Sequence, residues 1–496
     1  MLKAAMWAFL GVGGQQVMRL VVVLVLARLL TPEEFGIVAI AQTILSFAEV
    51  LQQMGLGSAL IQTDKLSKRM ERTAVTAVLA TSLAICAVVY IFVGDLARLF
   101  QTPELPAIMP VLLASFVLTA LNGPSIMLLN REMRFRELAI AQLATYIVGY
   151  GAVAVGLALL DFSYWALIWA TLVQTVLFFI AAHWLRPVWP TLRPDGSDLK
   201  LLFNFGGGMM LAQILNKMAR RGDNMIVAAT MGSAALGYYS RAYSLMDMAN
   251  QLFGTVLYKV LFPAFSERRR LGAKSEQRSD NFVVAHFFVA VLMVPGSALT
   301  AILAPEIVEF LLGPKWRAAA PVLTVLGAAM YFRLAYKVSG AFVAAEGAVY
   351  RSAAVQGIYA ALVVAGGLIG SMYGLIGVAV GITVALMGQY LMLTGLAAKL
   401  CEVSTLRMLS KLALPILIGV LTAVPTLLMK RAMFDGAEHP LLVIAVVSLF
   451  YLALNAVLLW VAMRIIPGQD LTRSAFASAF KRVIAMIAGK NRTAVS

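Results

Sequence analysis

The chain has 496 residues, 61% of them hydrophobic and 13% charged, with a formal charge of +16. Soluble domains are about 45–50% apolar and about 25% charged, so composition excludes a soluble fold. A bilayer accepts such a chain, provided that every backbone polar group is bonded internally. The two cysteines, Cys86 and Cys401, and the three histidines, His183, His286 and His439, are scattered, which argues against a disulfide framework, a metal site or a histidine catalyst.

The apolar runs are long and unbroken, which predicts helices and not the short alternating segments of a barrel. At about 20 apolar residues per crossing, fourteen spans follow in chain order: 5–30, 35–60, 74–94, 106–130, 137–160, 163–185, 202–230, 236–262, 282–304, 318–345, 351–371, 374–398, 409–430 and 439–464. The first run exceeds a signal-peptide core of ~7–15 residues and no small-residue cleavage site closes it, so it reads as a retained span. Thr31-Pro32, Thr102-Pro103, Arg193-Pro194-Asp195-Gly196, Gly313-Pro314 and Asp435-Gly436 are turn signals between spans. After Pro467 the tail is basic, with Leu471, Ala475, Ala479, Val483 and Ile487 near helical spacing; it reads as an amphipathic helix on the inner leaflet or a solvated tail.

The loops alternate in charge. Both termini and the even loops hold 26 of the 40 lysines and arginines, while the odd loops hold six: Arg28, Arg98, Lys315, Arg317, Lys430 and Arg431. Basic residues stay on the cytoplasmic side, so the bias predicts N-in, C-in topology in a bacterial inner membrane. It also accounts for the net charge without nucleic acid as a partner; membrane lipids are the expected surroundings. No odd loop is long enough for a folded outer domain.

The sequence repeats. Pro32 to Ala41 aligns with Ser233 to Ala242 at an offset of 201 residues. Further on, Pro103 and Pro110-Val111-Leu112 match Pro314 and Pro321-Val322-Leu323, and Gln142 pairs with Gln356. The expected organisation is two parallel six-helix lobes, residues 1–190 (spans one to six) and 191–400 (spans seven to twelve). Two added spans over 401–466 and a basic cytoplasmic tail over 467–496 follow. Parallel repeats are a transporter plan in which the site lies between lobes that rock.

Ionisable residues inside spans are costly, by about 2.5–3.5 kcal/mol at least, and mark function by default. Span seven carries Asn216, Lys217, Arg220, Arg221, Asp223 and Asn224 within an arc of about 160°. Span one places Gln15 and Gln16 a turn before Arg19, and Arg19 matches Arg220 at the offset of 201. Span ten adds Arg333 and Lys337. The mid-span carboxylates are Glu49, Asp223 and Asp247. A cationic interior suits an anion, since arginine grips phosphate bidentately and lysine acts as a point charge. Arg19, Lys217, Arg220, Arg221, Arg333 and Lys337 are therefore the candidate diphosphate-binding residues. For each one singly, an ion pair or snorkelling is the competing structural role. Tyr238, Tyr239, Arg241 and Tyr243 read as an interfacial aromatic belt or a sugar-stacking surface. The glycines Gly366, Gly367, Gly370, Gly374, Gly377 and Gly381 read as close helix packing.

Three stretches carry a resemblance: Phe205-Gly206 through Asp223-Asn224, Leu236-Gly237-Tyr238-Tyr239-Ser240-Arg241-Ala242-Tyr243, and Leu261-Phe262-Pro263-Ala264-Phe265-Ser266. With Gly313-Pro314-Lys315-Trp316 and Ala27-Arg28-Leu29-Leu30 to Phe35-Gly36, they resemble the bacterial polysaccharide flippases of the multidrug/oligosaccharidyl-lipid/polysaccharide exporter superfamily, of the colanic-acid and teichuronic-acid exporter type. Relatives carry proline in span eight where this chain has Met248-Ala249-Asn250. The resemblance implies a non-enzymatic carrier that flips an undecaprenyl-diphosphate-linked oligosaccharide outward by alternating access, for exopolysaccharide or O-antigen synthesis. It implies a polysaccharide polymerase and glycosyltransferases as partners and no cofactor. Coupling to Na+ or H+ would use Glu49, Asp223 or Asp247. A peptidoglycan-precursor flippase and a cation-coupled drug exporter of the same superfamily are alternatives, although a cationic interior disfavours the exporter. A membrane polymerase or ligase is a further alternative.

Overall fold

The structure, a computed structural model, describes residues 18–53, 67–272, 275–402, 404–434 and 439–465. The start of the first expected span and the basic tail over 467–496 lie outside the described residues. Among the described residues every regular element is helical. In chain order they are α1 (18–29), α2 (Pro32–Gln53), α3 (Lys68–Ile91), α4 (Val93–Leu99), α5 (Leu105–Arg131), α6 (Phe135–Leu159) and α7 (Trp165–Leu185). The helical run Gly196–Arg270 breaks at Gly232, whose φ of 80° lies in the left-handed region, giving α8 (196–231) and α9 (233–270). Then come α10 (Ser275–Ile302), α11 (Ala304–Leu312), the 3-10 turn Pro314–Ala319, α12 (Ala320–Ala328), α13 (Met330–Ala345), α14 (Val349–Ser371), α15 (Gly374–Leu400), α16 (Thr405–Phe434) and α17 (Pro440–Ile465). Eleven helical segments among the described residues are long and apolar enough to cross a membrane. The charged helices α8 and α9 and the short described part of the first span are not among them.

Helices group into two units. The first comprises Met1–Arg241, Leu311–Ala319 and Ala360–Val378; the second comprises Ala242–Phe310, Ala320–Tyr359 and Ala379–Ser496. Lipid is as apolar as leucine, so helices within each unit associate through close packing and hydrogen bonds.

In the first unit the two stretches that align at an offset of 201 residues pack on each other. Gly36 of α2 abuts the Ser233 carbonyl, and Gly237 of α9 abuts the Pro32 carbonyl. Pro32 with Ser233, and Gly36 with Gly237, are repeat equivalents, so the contact is made twice with roles exchanged. Trp316, fully buried, closes this junction: its Nε1 donates to the Ala27 carbonyl at 2.7 Å. Its ring meets Phe35 and Tyr238 edge-on, with centroids 5.4 and 6.1 Å apart. Further along the unit, the turn between α14 and α15 has Gly374 at a φ of 78°, and Gly370 and Gly377 face each other backbone to backbone. Gly370 and Gly377 provide close helix packing, whereas Gly374 serves the turn, since a Cβ there would meet no heavy atom within 4 Å.

Each unit also holds a glutamate between two arginines. Glu132 ends α5 and is followed by Met133 at a φ of 59°, the left-handed residue that commonly closes a helix. Arg186 reaches it at 2.9 Å and Arg134 at 3.6 Å, and Arg186 also binds Glu71 of α3 at 2.9 Å. In the second unit Glu346 ends α13 and is followed by Gly347 at a φ of 77°. Arg278 meets both its carboxylate oxygens at 2.8 Å, and Arg269 lies at 3.7 Å.

Cys401, beyond the end of α15, is 1% exposed, and burial pushes its thiol up to about 12. A raised thiol pKa keeps the neutral form below it, so at pH 8 only about one molecule in 10,000 is thiolate. In a Cys86→Ser background, iodoacetamide is therefore expected to leave the native protein unlabelled at pH 8 and to label it fully once unfolded. Rapid native labelling would contradict this environment for Cys401.

The second unit packs around Phe282, Phe342, Tyr331 and Tyr390. His286 of α10, fully buried, meets Ser339 of α13 at 3.1 Å, and Ser339 meets Thr394 of α15 at 2.9 Å. Three helices are thus tied by one polar chain. Tyr451 of α17 donates to the Gly419 carbonyl of α16 at 3.0 Å, and Lys430 bridges to Glu306 at 2.8 Å.

Candidate functional site

The charged stripe of α8 divides along its length. Asn216, Arg220 and Arg221 are exposed, whereas Asp223 and Asn224 are 2% and 3% exposed. The Asp223 carboxylate accepts from the Tyr239 hydroxyl at 2.9 Å and from the Asn224 backbone N–H at 2.8 Å. Tyr239 is fully buried, Tyr238 packs on Trp316, and Tyr243 lies beneath a guanidinium. Tyr239 is therefore internal and cannot belong to an interfacial belt, while Tyr238 and Tyr243 are half-buried against protein partners.

Within the first unit, cations from three helices converge. Lys217 of α8 lies 3.6 Å from Glu49 of α2. Arg221 of α8 is within electrostatic reach of Glu49 and of Arg241 of α9. The Arg241 guanidinium sits 4.7 Å from the centroid of Phe35, and its Nε is buried with no hydrogen-bond partner among the described residues. Arg19 of α1 lies 5.9 Å from the ring centroid of Tyr146 of α6. Tyr146 and Tyr150 both feel Arg19 and Arg241. Glu49, Lys217 and Arg221 are thus brought together, Arg221 reaches Arg241, and Arg241 and Arg19 both act on the Tyr146–Tyr150 pair. Arg220 is exposed and contacts its own helix, Nε to Asn216 Oδ1 at 3.3 Å.

The second unit pairs Arg333 with Asp247. Nε to Oδ1 is 3.0 Å, and the guanidinium lies 5.0 Å from the centroid of Tyr243. Asp247 also accepts from Asn250 at 2.7 Å and Gln251 at 3.0 Å. Lys337, one turn after Arg333, points its Nζ at the Asn250 carbonyl, 3.5 Å away. A side chain at Gly254 would fall on that ammonium, so the glycine makes room for it.

The aromatic seats change what the cations can do. A guanidinium over a ring gains about 0.5–1 kcal/mol where exposed, as at Arg19, and up to about 2 kcal/mol where desolvated, and the ring, unlike a carboxylate, does not neutralise it. Arg19 and Arg241 therefore present net positive charge to any incoming anion. In the sequence Arg241 stands out only within the aromatic cluster at the start of span eight, not among the candidate anion-binding residues, and Phe35, Tyr146 and Tyr150 carry no local signal of a site. Arg241 lies near the start of its span, where an arginine reads as interfacial, and ring partners on other helices leave no local pattern.

Eleven membrane-length helices among the described residues, together with the relatives the chain matches, make this a multi-pass protein of the bacterial inner membrane. Two solved structures share its architecture. A lipid II flippase, MurJ, in an inward closed conformation superposes with a TM-score of 0.72 at 15% identity, covering 91% of this chain and 98% of MurJ. An inward-facing multidrug resistance MATE family transporter of the MOP superfamily gives 0.60 at 18% identity, covering 79% and 96%. Residues 25–321 match the family described as polysaccharide biosynthesis protein, and the chain belongs to that family. It is 28% identical over 320 residues to the succinoglycan biosynthesis transport protein ExoT of Rhizobium meliloti, covering 64% of each chain. It is 22% identical over 308 residues to the teichuronic acid biosynthesis protein TuaB of Bacillus subtilis, covering 61% of this chain and 62% of TuaB. Both matches span just under two thirds of the relatives' own length.

Proposed function

We propose that this chain is a carrier, not an enzyme, and flips a polyprenyl-diphosphate-linked oligosaccharide from the cytoplasmic to the periplasmic face by alternating access. The cargo would be an undecaprenyl-diphosphate-linked repeat unit for exopolysaccharide or O-antigen synthesis, supplied by glycosyltransferases and passed to a polymerase. The topology proposed with it is fourteen spans, N-in and C-in, arranged as two repeats of six with two added; the eleven membrane-length helices among the described residues are compatible with it.

One observation carries the reading: Arg19, Arg241, Arg221 and Lys217 converge in a membrane unit where two of the four are seated on rings, not carboxylates. A cation drug would be repelled there, whereas a diphosphate is attracted. Arg220 extends this surface, and Arg333 with Lys337 forms the second candidate contact. Glu49, Asp223 and Asp247 are the carboxylates through which Na+ or H+ would couple. A ligand shifts the access equilibrium only by its different affinity for the two states, so a cargo headgroup held by these cations must bind one state better.

Losing one charge-assisted contact costs about 1.5–3 kcal/mol, or roughly ten- to a hundredfold in affinity. Arg221→Ala is expected to cut surface polymer by such a factor in a host lacking its own exporter, at unchanged protein level. Full export by Arg221→Ala and by Arg220→Ala would refute the cationic site. Rescue of a host depleted of its peptidoglycan-precursor flippase would move the cargo to that lipid.

A further inference from the structure

We infer that Tyr146, stacked on Tyr150, is a positioning residue that gathers Arg19 and Arg241 at one anion site without neutralising either. This rests on the diphosphate reading above and assigns the tyrosine pair a part in it.

Tyr146 ends the α-helical part of α6, and a π-helical segment, Ile147–Ala154, follows it directly. Such segments cost hydrogen-bond geometry and recur at functional sites. The two tyrosine rings stack in parallel, with centroids 5.1 Å apart and planes 15° apart. Tyr150 is fixed from below: its hydroxyl lies 2.7 Å from the Thr171 hydroxyl of α7, and Gln42 of α2 bonds to it as well. Thr171 is itself committed to the Leu167 carbonyl at 2.8 Å. The pair is therefore a rigid post anchored on two other helices.

Arginines from two different helices converge on that post. Arg19 of α1 lies over the Tyr146 ring, and both tyrosines lie within electrostatic reach of Arg19 and of Arg241 of α9. Like charges repel, so two guanidiniums that act on the same tyrosine pair need a group there that attracts both. A carboxylate would do so at the cost of the positive charge that the cargo needs. An electron-rich ring attracts through its quadrupole and leaves the charge intact. Tyr146 is 4% exposed, too buried to stack on a sugar, so its role acts through the arginines.

The test uses the full chain in nanodiscs, with geranylgeranyl diphosphate as the probe and geranylgeraniol as its uncharged control. Tyr146→Phe keeps the ring and is expected to bind the diphosphate within about twofold of wild type. Tyr146→Leu removes the ring and is expected to bind it about tenfold more weakly, with geranylgeraniol binding and melting temperature unchanged. Fluorinated phenylalanines at position 146 keep the shape while draining the ring face. Diphosphate binding should fall stepwise with fluorine count, a trend that packing alone does not produce and that holds even if Tyr146→Leu does not fold. Flat binding across the fluorinated series, with Arg241→Ala still weakening the diphosphate, would overturn the role of Tyr146 and leave the diphosphate reading intact. A wild-type protein that binds both probes equally would overturn both.

Discussion

Replacing Gly237 with valine is expected to abolish the accumulation of folded protein, and Gly36→Val is expected to do the same. At each position a Cβ would overlap a backbone carbonyl, that of Pro32 for Gly237 and that of Ser233 for Gly36. Overpacking against side chains costs about 1–3 kcal/mol because rotamers can yield. Here the neighbour is main chain, held at the first turn of a helix, and relief requires moving a whole helix end. The cost should exceed about 3 kcal/mol, a large part of a typical folding free energy of 5–15 kcal/mol. Loss of Trp316 packing would follow, since the indole is wedged between Phe35 and Tyr238 beside this junction. Gly340→Ala in α13 is the control: a Cβ there meets no heavy atom within 4 Å. It should be neutral or stabilising by about 0.5–1 kcal/mol. Yield and melting temperature of the detergent-solubilised protein read both effects. Valine variants that melt like wild type would refute the backbone contact.

The same junction shows what the sequence carries. Span positions follow from apolar runs, because a bilayer imposes one length on every crossing, and the helices α2, α3, α5, α7 and α10 fall where hydropathy puts them. The repeat is legible as Pro32 to Ala41 against Ser233 to Ala242, yet nothing in the alignment says that the two copies touch. That follows only when Gly36 and Gly237 are seen to face each other's helix starts. Charge within spans was legible residue by residue, since each mid-span lysine or arginine is costly. Partners were not: Lys217 with Glu49, Arg333 with Asp247, and Asp223 with Tyr239 join residues far apart in the chain or a kink apart on neighbouring helices. Arg241 shows the limit most clearly. Its chemistry depends on Phe35, Tyr146 and Arg221, which belong to three other helices.

Asp247→Ala is expected to destabilise the protein by about 3–5 kcal/mol, and removing Arg333 as well should restore most of it. The pair is largely enclosed, with side chains 10% and 19% exposed. Breaking a buried pair from one side strands an uncompensated charge, which is the expensive outcome, whereas replacing both partners with apolar groups is often neutral. Tyr243 would still face the orphaned guanidinium, but a ring gains about 2 kcal/mol at most in such a place, less than the stranded charge costs. Asn250 and Gln251 would also lose their acceptor. Asp247→Ala/Arg333→Leu should therefore melt within about 1 kcal/mol of wild type, giving a coupling of at least about 2 kcal/mol in the double-mutant cycle. Export by the double variant then separates the roles of the pair. A brace gives folded protein that still exports polymer; a coupling role for Asp247 or a cargo contact by Arg333 gives folded protein that does not. Additive losses in the cycle would mean that the two side chains do not depend on each other, contrary to their 3.0 Å contact.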